Sequence, residues 1–391
     1  MTMIRHTGAA LAIQPRIRKG AFFEACWRHG CRTFSVYNRT FISSTFSDPV
    51  KEYWKVVNEV AIWPVMGERQ VEISGRDASA FVQFLTTRNM AKCQVNQCKY
   101  ALITAPDGGI ISDPIVLRLD EDRYWLSTSD CDLELWARGV AVNNPMQVAI
   151  RDAEVSVLQV QGPKSPHLMS ALFGEDILDL RYYWLHRAQF RGRELKISRT
   201  GWSGEFGYEI YLEHPSDGDA LFDALLEAGA PHGVAPGAVS QARRIESGIL
   251  SWGTDMTPQD TPFDLGLDRL VEFDAPGAFI GRAALAELWD APRARALVGL
   301  VVDGPPLPSN EEVWPLFASG QLTGKLTSLA HSPRLKQNIA LGHVAADHAT
   351  VGTAIDVATP EGSRQAVVSK LPFIAKRQTG RAREMVFGPP S

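Results

Sequence analysis

From Arg69 onward the apolar positions switch repeatedly between a period of two and a period near 3.6. Gln70-Val-Glu-Ile-Ser74 alternates and predicts a strand with one buried face. Arg76 to Thr86 places Ala78, Phe81, Val82 and Leu85 on one helical face. Tyr100 to Thr104 and Ile115 to Leu119 read as strands around a Pro-Asp-Gly-Gly turn at 106–109. Tyr124 to Thr128 follows, then a helix from about Cys131 to Val142. Val155 to Gln161 predicts a further strand, closed by Gly162-Pro163. Ser165-Pro166 offers an N-cap and a proline at the first position of a helix running to Phe173. Asp217 to Gly229 is an amphipathic helix ending in glycine.

Hairpin-like links outnumber helical crossovers, which predicts mixed α+β sheets rather than one doubly wound parallel sheet. After Gly281 to Trp289 the texture changes. Leu297 to Val302, Gly324 to Leu329, Ile339 to Val344, Ala354 to Ala358 and Gln365 to Lys370 are short strands separated by turn residues. They predict a small C-terminal β-barrel or sandwich, with the boundary near Ala291-Pro292. A chain of 391 residues exceeds one ordinary core. The expected division is an N-terminal extension at 1–33, an α+β region of two modules at 34–290, a barrel at 291–375 and a basic tail at 376–391.

Composition narrows the function. An apolar content of 45% with 21% charged residues reads as soluble and globular. The net charge of −4 argues against a nucleic-acid partner, and Arg16 to Lys19 and Lys376 to Arg383 read as solvated basic ends. No run of 18 apolar residues could span a membrane, and Ala9 to Ile13 is short for a secretory segment. The five cysteines (Cys26, Cys31, Cys93, Cys98, Cys131) lack Cys-x-x-Cys spacing and read as reduced thiols of a cytoplasmic protein without a metal site.

The densest chemistry lies in Arg199-Thr-Gly-Trp-Ser-Gly-Glu-Phe-Gly-Tyr-Glu-Ile-Tyr211. Gly201, Gly204 and Gly207 permit tight turns and close approach of backbone to a ligand before the strand Tyr208 to Leu212. Glu209, inside that aromatic strand, needs a partner if buried, and a flat ligand edge with adjacent N–H donors would supply one. Tyr211 shares its face of the strand. The segment resembles the T-G-Y-[ST]-G-E-x-G-[YF]-E-[IV] signature of the folate-dependent T-protein family, whose core member is the glycine cleavage aminomethyltransferase. Gln161-Gly-Pro163 and Phe279-Ile-Gly-Arg-Ala-Ala-Leu285 match two more family markers. The resemblance covers about Phe34 to Ile374 and implies two N-terminal α+β modules and a C-terminal β-barrel in a ring, with tetrahydrofolate in the central channel. It places Glu209 on the pterin edge.

Asp107-Gly-Gly-Ile-Ile-Ser-Asp-Pro114 aligns with the family's G-G-x-x-D-D and keeps only the second aspartate, as Asp113, with Ser112 at the first. Aminomethyl transfer needs an acid or base for an amine leaving group, whereas moving a methyl group off a sulfonium or quaternary ammonium releases a neutral product. Ser35-Val-Tyr-Asn38, Glu68-Arg-Gln-Val-Glu72, Gln97-Cys98 with Tyr100, Trp125 to Asp130 with Trp136, and Glu246 to Met256 resemble the dimethylsulfoniopropionate demethylase branch. Trp63-Pro-Val65 departs from that branch's W-D-V, and Thr200 to Tyr211 follows the T-protein rather than the demethylase form.

The resemblance thus implies Asp113 and Tyr211 as catalytic residues and Glu209, Tyr100, Trp202 and Arg244 as folate contacts. Arg244, of Arg243-Arg-Ile-Glu246, would meet the folate tail or form an ion pair. Tyr37, Trp184 and Trp252 belong to an aromatic set, with Tyr182 and Tyr183, that could hold a methylated cation or pack as core. The leading expectation is methyl transfer from a small methylated onium compound to N5 of tetrahydrofolate. Glycine-cleavage aminomethyl transfer and a non-catalytic folate-binding protein are the alternatives, and a homodimer stays open.

Overall fold

The computed structural model describes residues 13–388, so most of the Ala9 to Ile13 stretch lies outside the described residues. Three sheets dominate. A five-stranded sheet runs Ala149–Asp152, Arg69–Ser74, Arg123–Thr128, Ile115–Asp120 and Cys98–Tyr100 in spatial order. A six-stranded sheet runs Leu185–Phe190, Arg193–Ser198, Gly207–Leu212, Ser156–Gln161, Ala61–Pro64 and Ala235–Pro236. A closed barrel runs Arg295–Val302, Gln337–Ala345, Gln321–Ser332, Trp314–Ala318, Ala354–Thr359 and Gly362–Ser369. Neighbouring strands pair antiparallel except Ala235–Pro236 against Ala61–Pro64, as the hairpin-rich pattern implies for an α+β fold.

Each sheet has its own core. Helices Phe23–Arg28, Ser165–Phe173 and Gly218–Gly229 cover one face of the six-stranded sheet, where Leu158, Val160, Tyr208, Ile210 and Leu212 point. Helices Ala78–Leu85 and Leu133–Val142 cover the five-stranded sheet. The other faces of the two sheets meet through Trp63, Leu117, Trp125, Val157 and Tyr211. Strand alternation therefore sends Tyr208, Ile210 and Leu212 into one core and Glu209 and Tyr211 toward the inter-sheet side.

Several local expectations change. The helix at Ser165 begins on that residue, and its hydroxyl donates to the Phe206 carbonyl at 3.3 Å instead of capping the helix. A barrel strand at Trp314–Ala318 escaped the periodicity because Pro315 marks a strand unfavourably. The two basic ends are anchored rather than merely solvated. Arg18 pairs with Asp152 at 3.1 Å, and Arg383 pairs with Asp179. Phe22, Phe23, Ala25, Cys26 and Cys31 are buried in the first core, and Ala382 on helix Ala382–Phe387 joins them there.

Candidate active site

A cavity of about 1030 Å³ opens where the two N-terminal sheets, the segment 238–254 and the C-terminal segment converge. Its volume suits a cofactor-sized ligand.

Glu209 lies on this wall and is 5% exposed. Gln159, opposite it in the neighbouring strand, donates its side-chain N–H to Oε1 at 2.7 Å. Thr200 and Tyr211 donate hydroxyls to Oε2, the latter at 3.2 Å. Burial raises the Glu209 carboxyl above the usual carboxylate range, and these hydrogen bonds pull the other way. The glycine-rich loop before the strand is pinned by Gln161, which donates to the carbonyls of Thr200 and Tyr208 at 3.1 and 3.2 Å and accepts from Ser203 at 2.7 Å. A Cβ on Gly201 or Gly207 would collide with the Gln161 amide, so glycine is required at both positions.

Asp113 enters from the other module. Tyr100 donates to its Oδ2 and Ser129 to its Oδ1, each at 3.0 Å. Burial pushes its pKa up to about 6 against those two hydrogen bonds. The preceding Ser112 points the opposite way, into a buried set with Thr128 at 3.1 Å and Cys131 at 3.2 Å. Tyr37 reaches the cavity from the tip of the hairpin Thr33–Tyr37 and Thr40–Thr45. Its two turn residues Asn38 and Arg39 have positive φ, the geometry of a type I′ turn. Asn38 fastens that tip to the Ser129 carbonyl at 2.7 Å and to Asp130 at 2.8 Å. Trp202 and Trp252 complete the aromatic lining, and the Trp252 indole N–H is buried with no partner among the described residues.

Three expected residues sit elsewhere. Tyr211 is fully buried behind Glu209 and reaches the site through that carboxylate, so it positions rather than touches a ligand. Arg244 is also buried. Its guanidinium is taken up by Asp255 and Ser328 at 2.7 Å each, Gln241 at 2.6 Å and the Ile249 carbonyl at 3.1 Å. It fixes helix Gln241–Glu246 to a barrel strand and stands 5.2 Å from the Trp202 ring centroid, outside the cavity lining. Trp184 is covered by the Arg181 guanidinium at 3.8 Å and does not line the cavity. Its neighbour Tyr183 does line it, in a left-handed backbone conformation with φ 63°.

Other contributors went unassigned in the sequence. Glu68 lines the cavity at the link between the two sheets, and its carboxyl is raised well above the usual range by burial, then by Glu209 and Asp113. The match of Glu68-Arg-Gln-Val-Glu72 to a family motif was the available signal. Gln159 could have been found by alternation from Gln161, since Glu209 needed a donor opposite it. Glu205 of the glycine-rich loop pairs with Arg243 at 2.8 Å, both buried, and Arg243 also reaches Glu246 at 3.2 Å. That ion-pair network is structural. The cavity also has basic lining from Arg88, Lys99, Arg269 and Lys376.

Comparisons with known proteins agree with this layout. The GCVT N-terminal domain matches residues 18–275 and the glycine cleavage T-protein C-terminal barrel domain matches 295–374. The dimethylsulfoniopropionate demethylase DmdA of Ruegeria pomeroyi is 36% identical over 90% of this chain and 96% of its own length. An aminomethyltransferase of Streptomyces avermitilis is 32% identical over 84% of this chain and 90% of its own. The glycine cleavage aminomethyltransferase T of Bartonella henselae superposes with a TM-score of 0.85 at 22% identity, covering 93% of this chain and all of that one, which establishes the shared fold. With both domains matched in order around one cavity, the chain belongs to the glycine cleavage T-protein family of tetrahydrofolate-dependent one-carbon transferases.

Proposed function

We propose that this enzyme moves a methyl group from a small sulfonium or quaternary ammonium donor, of the dimethylsulfoniopropionate kind, to tetrahydrofolate. One observation carries the reading: Asp113 and Glu209 face the cavity and, among the described residues, their side-chain hydrogen-bond donors are neutral hydroxyls and an amide. The negative charge these carboxyls carry when ionised has no cationic partner among the described residues, and a cationic ligand would balance it and favour ionisation of Glu68 beside them. Tyr37, Trp202 and Trp252 add aromatic faces that attract an onium group by roughly 0.5–2 kcal/mol per good contact.

The residues fit the cofactor. Glu209 presents an oriented carboxylate to a pterin edge, and the unpartnered Trp252 N–H offers a further donor. When bound, tetrahydrofolate supplies the nucleophilic N5. Asp113, held by Tyr100 and Ser129, orients the donor or the folate across the cavity. The aromatic walls exclude water from the onium carbon. The donor's carbon–sulfur or carbon–nitrogen bond breaks with its electron pair staying on the heteroatom, so that heteroatom leaves neutral and needs no acid, and the proton displaced from the cofactor nitrogen passes to solvent or to the Asp113 carboxylate. Rate enhancement then comes from alignment of the two reactants. The relative from Ruegeria pomeroyi named a dimethylsulfoniopropionate demethylase supports this donor class.

A second reading, aminomethyl transfer in glycine cleavage, is favoured by Asp113 alone, because a carboxyl with a pKa of about 6 can exchange a proton near neutrality. Incubation with tetrahydrofolate and a panel of methylated sulfonium, ammonium and aryl ether compounds tests the choice. Formation of 5-methyltetrahydrofolate from an onium compound is expected. Its absence, with activity in a reconstituted glycine cleavage assay, selects the second reading.

A further inference from the structure

Of the basic residues on the cavity wall, two are held by the protein and two are not. Arg88 pairs with Glu272 at 3.4 Å and donates to the Tyr100 carbonyl at 3.2 Å, and Lys99 donates to the Asn89 carbonyl at 2.8 Å. Arg269 and Lys376 have no hydrogen bond or ion pair to another side chain or carbonyl among the described residues, and both are exposed at the rim. Desolvation at that rim, then the neighbouring Arg269 guanidinium, push the Lys376 ammonium below its ordinary range. Two like charges kept near each other without an anion are unfavourable in the empty protein and favourable once an anion sits between them.

The placement of Lys376 is built. Two residues before it, Ile374 donates its N–H to the Glu246 carbonyl at 2.8 Å, and just after it Arg377 donates to the Gly204 carbonyl at 2.8 Å. Gln378 is held three ways: its carbonyl accepts from Arg199 at 2.7 Å, its Oε1 from Tyr182 at 2.7 Å, and its Nε2 donates to the Gly201 carbonyl at 3.0 Å. The segment is thus tied to the same glycine-rich loop that leads into Glu209. Lys376 lies beyond both matched family domains, which end at 275 and 374. Arg244, meanwhile, has its guanidinium committed to the protein.

Resting on Glu209 as the pterin anchor, we propose that Arg269 and Lys376 form the anion subsite that grips the carboxylates of the folate's glutamate tail. The C-terminal segment is then a working part of the cofactor site.

Calorimetric titration of the wild-type protein, Arg269→Ala, Lys376→Ala and the double variant tests this with two ligands, tetrahydrofolate and the tail-less 6-methyltetrahydropterin. Each single variant should bind tetrahydrofolate about tenfold more weakly. The double variant should lose more and show a flatter salt dependence. Affinity for 6-methyltetrahydropterin should not change. The unfolding midpoints should stay level or rise, because one of two repelling charges has been removed. Unaltered tetrahydrofolate affinity in the double variant overturns the proposal, as does an equal loss for the tail-less ligand. Glu209→Gln run alongside should weaken both ligands; if it weakens neither, the pterin placement fails, whatever the cation variants do.

Discussion

Replacing Glu209 with glutamine keeps the shape of the side chain and removes one buried charge. In the wild type, Gln159 at 2.7 Å, Thr200 and Tyr211 at 3.2 Å orient the carboxylate. Without a ligand that charge is a liability, because burial holds its carboxyl above the usual range. Glu209→Gln should therefore leave the apo protein as stable as the wild type, or slightly more so. Binding should change far more. A pterin edge with two N–H donors loses one charge-assisted hydrogen bond, worth about 1.5–3 kcal/mol, and its second donor faces an amide N–H at a cost of about 1–3 kcal/mol. Taking about 3 kcal/mol, near the lower end of their sum, the Kd for tetrahydrofolate should rise at least roughly 100-fold. Isothermal titration of the two proteins, paired with thermal unfolding of each without ligand, reads both halves. A Kd within a factor of about three of wild type, with the fold intact, would refute Glu209 as the pterin anchor.

Asp113 makes a prediction about pH. Its folded pKa of about 6 stands above the ordinary aspartate value of 3.8, so the folded state holds the proton more tightly than the unfolded chain. Asp113 therefore costs stability as pH rises from about 4 to 6, on the order of 3 kcal/mol in full above that window. Asp113→Asn should gain on the wild type in unfolding midpoint between about pH 4 and pH 7; a constant difference would contradict the buried-carboxylate account. Arg243→Ala strands Glu205 and Glu246 in the core and should cost about 3–5 kcal/mol in denaturant titrations, whereas Arg377→Ala, whose exposed guanidinium is 4.0 Å from Glu205, should cost under about 1 kcal/mol. Glu68→Gln should raise KM for a cationic donor about tenfold while tetrahydrofolate affinity holds, and equal KM values in steady-state assays would remove Glu68 from the donor site.

The glycine-rich run, Glu209 and Asp113 were legible because each is a local requirement. A glycine spacing, a charge in an aromatic strand and an aspartate before proline show in adjacent letters. Tyr37, Tyr100, Trp202 and Trp252 were legible as matches to motifs, and they line the cavity. Of the adjacent aromatics Tyr183 and Trp184, both named from the sequence, the first lines the cavity with a left-handed backbone and the second lies beneath Arg181. Of the two readings left open for Arg244, the structure forms the ion pair, and its partners Asp255 and Ser328 lie 11 and 84 residues away, neither marked by spacing.

What the amino-acid order determined by itself was periodicity, and with it the α+β modules, the barrel and the faces of each strand. Side-chain alternation and turn chemistry act over a few residues, so they are written in the chain directly. Only the tertiary structure decided which charges are spent on the fold and which stay available. Arg243, Arg244 and Glu205 are consumed by buried partners, while Arg269, Lys376, Glu68 and Asp113 form no ion pair among the described residues and line the cavity. That division depends on distances between residues far apart in sequence, and burial sets the energy of each pairing.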